Sequence, residues 1–269
     1  MTRIVSALVL AVVLALPVIF GPAWVFFIVV LLVLPWCIFE LMRACLSPGA
    51  RLMGWVVFYG SFPFLWFTWQ GKTMAAYLTL SVLALGIIAI GLILFERRRA
   101  SGREVALALS GLMYPLVLMS FWVNLRMGID GRFWMIFGLV CTFLSDIGAY
   151  YVGKNFGRRR LAERLSPKKT WEGFLGGCVT ATIAGIIFSR VYPLFDPLSG
   201  NYALWMIGIL SLSVAVLDLI GDLTASMFKR EFNIKDLGSL IPGHGGMLDR
   251  MDGVIPVGAT LHIIIQVLT

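Results

Sequence analysis

The chain has 269 residues, 59% of them hydrophobic and 13% charged, with a mean hydropathy of +0.92 and a formal net charge of +8. Soluble globular chains carry roughly 25% charged residues, so a water-soluble domain is excluded and a membrane protein with many helices is indicated. The basic excess does not point to nucleic acid, because in such a protein the placement of Lys and Arg matters more than their sum.

Nine apolar runs are read, at about 4–20, 22–39, 52–69, 74–95, 105–123, 133–153, 173–189, 202–228 and 253–269. One helix over 4–39 would be about 54 Å long, more than one span needs. Pro17, Gly21 and Pro22 offer a break, so a tight helical hairpin is expected there. Arg3 before an apolar run also resembles a signal peptide; no clear small-residue cleavage site follows, and a retained helix is the expectation. The expected fold is all-α: a polytopic integral membrane helical bundle of about nine transmembrane helices with no soluble domain. Residues 1–132 form the N-terminal helices, and 133–269 the C-terminal helices with their long polar loops.

Alternation of nine spans places 18 of the 22 Lys and Arg on one side, leaving Lys72, Arg126, Arg132 and Arg190 on the other. The positive-inside rule makes the first side cytoplasmic, with the N-terminus in and the C-terminus out. Trp24, Trp69, Trp134 and Trp205, near run ends, suit interfacial anchoring or core packing equally. Cys37, Cys45, Cys141 and Cys178 are scattered without CxxC pairing, which argues against a disulfide framework or a zinc site.

Three runs carry aspartates where ionisable groups are expensive. Asp146 lies in "FLSDIGAYYVG"; Asp218 and Asp222 lie in "LDLIGDLTASMFKR", four apart and so on one helix face; Asp249 and Asp252 open the last run. Topology draws all five toward the cytoplasmic surface. Such an oxygen-rich group suits Mg²⁺ with substrate phosphates; structural ion pairs with Lys229, Arg230 and Arg250 are the alternative. The loop "KNFGRRRLAERLSPKKTWEG" is read as a positive-inside loop in which Lys168, Lys169 and a helix capped by Thr170 form an anion site. In "IPGHGGMLDRMD", Gly243, Gly245 and Gly246 allow close backbone approach to a ligand. His244 is read as a phosphate donor, a proton carrier or a loop hydrogen-bonder, and His262 as a packed polar residue.

The segment "SMFKREFNIKDLGSLIPGHGGMLDRMD", from Ser226 to Asp252, resembles the C-terminal motif of phosphatidate cytidylyltransferases, the CDP-diacylglycerol synthases. Ser226, Lys229, Arg230, Lys235, Asp236, His244, Gly245, Gly246, Asp249, Arg250 and Asp252 occupy its fixed positions. "SDIGAYYVGKNFG" and "SPKKTWEG" also look like that family, in order, so the resemblance covers at least 145–252. It implies a nucleotidyl transfer from CTP to phosphatidate, requiring Mg²⁺, in phospholipid biosynthesis. Asp249, Lys229, Arg230, His244 and Asp252 are then the expected catalytic residues. Lys168, Lys169, Thr170, Ser226, Lys235, Gly245, Gly246 and Arg250 are the expected substrate-binding residues, and Asp146, Asp218, Asp222 and Asp249 the metal ligands, with room for a second cation. Expected partners are CTP, phosphatidate and the surrounding bilayer, without nucleic acid, and a homo-oligomer is compatible with this reading. A bacterial inner (plasma) membrane location is the expectation, suggested by a short chain in which no targeting or retention tail is read.

Two other readings remain open. A CTP-dependent polyprenol kinase also joins CTP to a membrane lipid, though the full motif argues against it. A cation-coupled transporter also holds aspartates in helices, but favours the midplane, whereas these gather at one face beside basic loops.

Overall fold

The computed structural model describes residues 20–199, 202–240 and 245–268. The first apolar run, and with it the expected N-terminal hairpin, lies outside these residues. Eight helices of fifteen residues or more are described: α1 (Ala23–Cys45), α2 (Arg51–Trp69), α3 (Thr73–Glu96), α4 (Gly102–Met127), α5 (Gly131–Phe156), α6 (Trp171–Val191), α7 (Leu204–Glu231) and α8 (Val254–Leu268). Six of them, all but α2 and α8, are long and apolar enough to cross a membrane. The described residues thus make an all-helical membrane protein and do not reach nine spans. α2 is long enough at 19 residues but diluted by polar aromatics, serine and proline, and α8 has only 15 residues. Among the described residues the β structure is one short hairpin, β1 (Arg160–Ala162) with β2 (Ser166–Thr170).

The helices divide into two compact units. The first comprises Met1–Asn124 with Glu231–Met251, and the second Leu125–Arg230 with Asp252–Thr269.

In the first unit, α1, α2 and α3 pack in succession around Leu34, Ile38, Leu41, Met53 and Leu65, each under 2% exposed. Gly54 against Met42 and Gly60 against Leu83 leave no room for a β-carbon, so small residues set the helix separation. α3 is apolar on every face, yet only Ala76, Ile87, Gly91 and Leu94 are buried. Such a helix needs an apolar solvent on its remaining faces. α4 starts with a capping box, Ser101 accepting from the Glu104 amide and Glu104 accepting from the Ser101 amide; Glu104 also accepts from Ser47 N at 3.0 Å. Its middle opens into a π-helical turn, Leu112–Val117, around Pro115, whose ring and missing N–H disfavour the regular ladder.

In the second unit, α5 and α6 pack along their length. Gly148 abuts Thr180, and Gly173, Gly176 and Gly177 abut Ala149, Val152 and Ser145, so the two backbones approach more closely than larger side chains would allow. Beyond this contact lies an aromatic cluster of Phe133, Trp134, Phe137, Phe188, Tyr192 and Tyr202. The Tyr202 hydroxyl donates to Asp130 Oδ2 at 2.6 Å; burial and that carboxylate push the phenol above the ordinary tyrosine range. Trp134 is therefore a core residue at 1% exposure, whereas Trp24 and Trp205 are exposed, as interfacial anchors would be.

Candidate functional site

The polar features of the second unit converge where α5, the hairpin, α6 and α7 meet. Thr170 caps α6 as expected, its hydroxyl accepting from Gly173 N at 3.1 Å. The preceding residues are not the loop read from sequence. Arg160 pairs with Thr170 and Ala162 with Ser166 in an antiparallel register, and Glu172 accepts from the amides of Arg158 and Arg159. This closes Gly157–Arg159 over the first turn of α6 and holds Lys168 and Lys169 on a strand. The basic residues there obscure the pattern, since a two-stranded ribbon of three and five residues shows no clear hydrophobic alternation.

A cavity of about 700 Å³ opens between these elements. Asp146 from α5 and Asp218 from α7 line it, together with Lys154, Arg160, Lys168 and Lys169. Asp218 is 4% exposed, its carboxylate lying against the α-carbon of Gly253. Close approach is needed at this point: a β-carbon at Gly253 would collide with Asp218 Oδ1, and one at Gly221 with the Asp252 carbonyl. Asp222, one turn beyond Asp218, is doubly engaged. Lys169 Nζ lies 2.5 Å from its Oδ2, and the Ser226 hydroxyl donates to its Oδ1 at 3.3 Å. Asp252 accepts from Gly253 N at 2.9 Å. Asp146, Asp218, Asp222, Asp252 and Lys169 lie near enough to interact electrostatically. Four carboxylates beside one paired ammonium make a region that attracts cations, with a basic rim that attracts anions. A cavity of this size suits a ligand of nucleotide dimensions. Near the end of α7, Arg230 Nε donates to the Leu165 carbonyl at 3.1 Å, tying that helix to the hairpin turn, and Lys229 is half-buried in the last turn.

The remaining motif residues belong to the first unit. Asp249 Oδ2 accepts from Leu237 N at 2.8 Å and from Gly246 N at 3.0 Å, so this carboxylate holds Leu237 and Gly246 beside the turn that carries it. Gly245 has φ +85°, a conformation glycine adopts readily, beside Asp236 and Asp249. Lys235 and Arg250 are exposed, and His244 lies outside the described residues. The structure thus groups Asp146, Asp218, Asp222 and Asp252 in one unit and puts Asp249 in the other. Among the described residues, no three His, Cys, Asp or Glu side chains form a metal cage of their own. One engaged residue escaped the sequence reading: Glu40 in α1 is 4% exposed and accepts from Leu248 N. The signal available was a carboxylate at the edge of an otherwise uncharged run.

Residues 1–268 match the model of the cytidylyltransferase family. The chain is 42% identical over 124 residues to a phosphatidate cytidylyltransferase of Haemophilus influenzae, covering 46% of this chain and 42% of that protein. It is 31% identical over 185 residues to one of Staphylococcus saprophyticus, covering 69% and 68%, and 35% identical over 193 residues to one of Synechocystis, covering 61% and 62%. The match thus spans from under half to about two thirds of these relatives' own length.

Proposed function

The chain belongs to the cytidylyltransferase family, and from that membership we propose that it transfers the cytidylyl group of CTP to phosphatidate, forming CDP-diacylglycerol and pyrophosphate. The observation that carries this reading is the cavity lined by the carboxylates Asp146 and Asp218 together with Lys154, Arg160, Lys168 and Lys169. Phosphoryl-group chemistry asks for this pairing of cation-binding oxygens with triphosphate-binding cations.

A phosphate oxygen of phosphatidate attacks the α-phosphorus of CTP. The bond from that phosphorus to the oxygen bridging to the β-phosphorus breaks, and pyrophosphate leaves with the electron pair. A phosphate monoester already ionises near neutrality, so no strong general base is needed. Lys168, at the exposed rim, holds the triphosphate, while Lys169, fixed by Asp222, stabilises the charge that grows on the leaving group. Lys229 and Arg230 stiffen and charge the same end of α7.

Asp146 and Asp218 fit Mg²⁺, which takes one or two carboxylates and completes its shell with water and phosphate oxygens. Bound there, Mg²⁺ supplies neutralisation of phosphate charge. Asp222, its oxygens shared with Lys169 and Ser226, completes the proposed ligand set within this unit, and a second cation is part of the proposal. Lys and Arg clustered on one side support a cytoplasmic site, where CTP is available.

Purified protein given CTP and Mg²⁺ should release pyrophosphate only when phosphatidate is present, and chelation should abolish it. CDP formed with a polyprenol instead would reassign the protein as a lipid kinase.

A further inference from the structure

In the first unit, α1 is an apolar helix with one buried carboxylate. Glu40 is 4% exposed, and a carboxylate within an apolar helix is costly unless its oxygens meet donors. Both meet them. Glu40 Oε1 accepts from Trp36 Nε1 at 3.2 Å, one turn earlier on α1, and Oε2 accepts from Leu248 N at 2.9 Å, 208 positions away. Two glycines make that reach possible. A β-carbon at Gly238 would strike the Glu40 carboxyl carbon, and one at Gly246 would strike Oε2. The carboxylate is therefore inserted between Gly238 and Gly246 and reaches the first amide of the helical turn Leu248–Met251. The same short stretch is held by Asp249, through the amides of Leu237 and Gly246. Three backbone N–H groups of one loop are thus taken by two carboxylates, one from the loop itself and one from a distant transmembrane helix.

We propose that Glu40 is a positioning residue for the reaction: its carboxylate fixes Gly238 and the turn from Gly246 to Met251, and with it the side chain of Asp249, in the working conformation. The proposal rests on the cytidylyl-transfer reading for its kinetic part and on the hydrogen bonds alone for its structural part. Glu40 touches no substrate; it acts through the loop.

The test uses the full chain in lipid nanodiscs, with turnover and amide hydrogen exchange measured on the same samples. Glu40→Leu keeps the apolar packing of α1 but leaves Leu248 N unmatched. It should lower kcat on the order of ten- to a hundredfold, with KM for CTP within about threefold. Exchange should accelerate in 237–240 and 245–251 while α1, α2 and α3 keep their protection. Glu40→Asp keeps the charge but falls one methylene short, and should behave like Glu40→Leu. Glu40→Gln sets an amide donor against Trp36 Nε1–H; Glu40→Gln combined with Trp36→Phe removes that mismatch and should recover most of the turnover and the slow exchange.

Unchanged kcat and unchanged exchange in Glu40→Leu would overturn the proposal. So would exchange rising equally across α1–α3, which would make Glu40 a packing residue of the bundle. If the wild-type protein makes no CDP-diacylglycerol, the cytidylyl-transfer reading fails, while the exchange arm still reports whether Glu40 holds the segment.

Discussion

Asp222 and Asp249 show how a carboxylate's partners set what a substitution means. Asp222 gives one oxygen to Lys169 and the other to Ser226. On the proposed reading a triphosphate entering the cavity would compete for Lys169, coupling binding of the anion to uncovering of the carboxylate. Lys168→Met removes a rim cation with no such coupling and should raise KM for CTP roughly tenfold while changing kcat less; an unchanged KM in a steady-state titration would remove Lys168 from the binding site. Asp249 separates into two roles by chemistry. Asp249→Ala loses the acceptor for two loop amides and should lower turnover about a hundredfold. Asp249→Asn keeps a carbonyl oxygen able to accept both amides and loses only the charge. Wild-type turnover in Asp249→Asn would make this residue an organiser of the loop, whereas lost turnover would show that its charge is needed as well.

Among the elements, the β1–β2 hairpin and the first turn of α6 form one device, closed by Thr170 at the cap and Glu172 at the amides of Arg158 and Arg159. Thr170→Val should lose about 1 kcal/mol of stability, as other N-cap deletions do, and raise KM for CTP because Lys168 and Lys169 lie on the strand that enters the cap. Loss of stability with KM untouched, read by thermal unfolding and kinetics together, would uncouple the cap from the site. The helices themselves were legible: the runs 133–153 and 173–189 appear as α5 (Gly131–Phe156) and α6 (Trp171–Val191), because hydrophobic length survives any tertiary context. Asp218 and Asp222 were legible as a helical pair for the same reason. The hairpin was not, since its strands are short and basic. Nor was Glu40, whose meaning lies in a partner 208 residues away that no local pattern announces.

For the whole molecule, the asymmetry of Lys and Arg predicts which loops face the cytoplasm. The described cysteines Cys37, Cys45, Cys141 and Cys178 are all buried, so introduced thiols can be read against a quiet background. A membrane-impermeant thiol reagent should label Lys72→Cys on intact cells and Asn155→Cys only after lysis; the reverse pattern would invert the assigned topology. CTP labelled in turn at its α- and γ-phosphorus distinguishes transfer of a cytidylyl group, as proposed, from transfer of a phosphoryl group. With phosphatidate and Mg²⁺, α-label should enter the lipid fraction and γ-label should leave as pyrophosphate. γ-Label in the lipid would rule out cytidylyl transfer and make the protein a kinase.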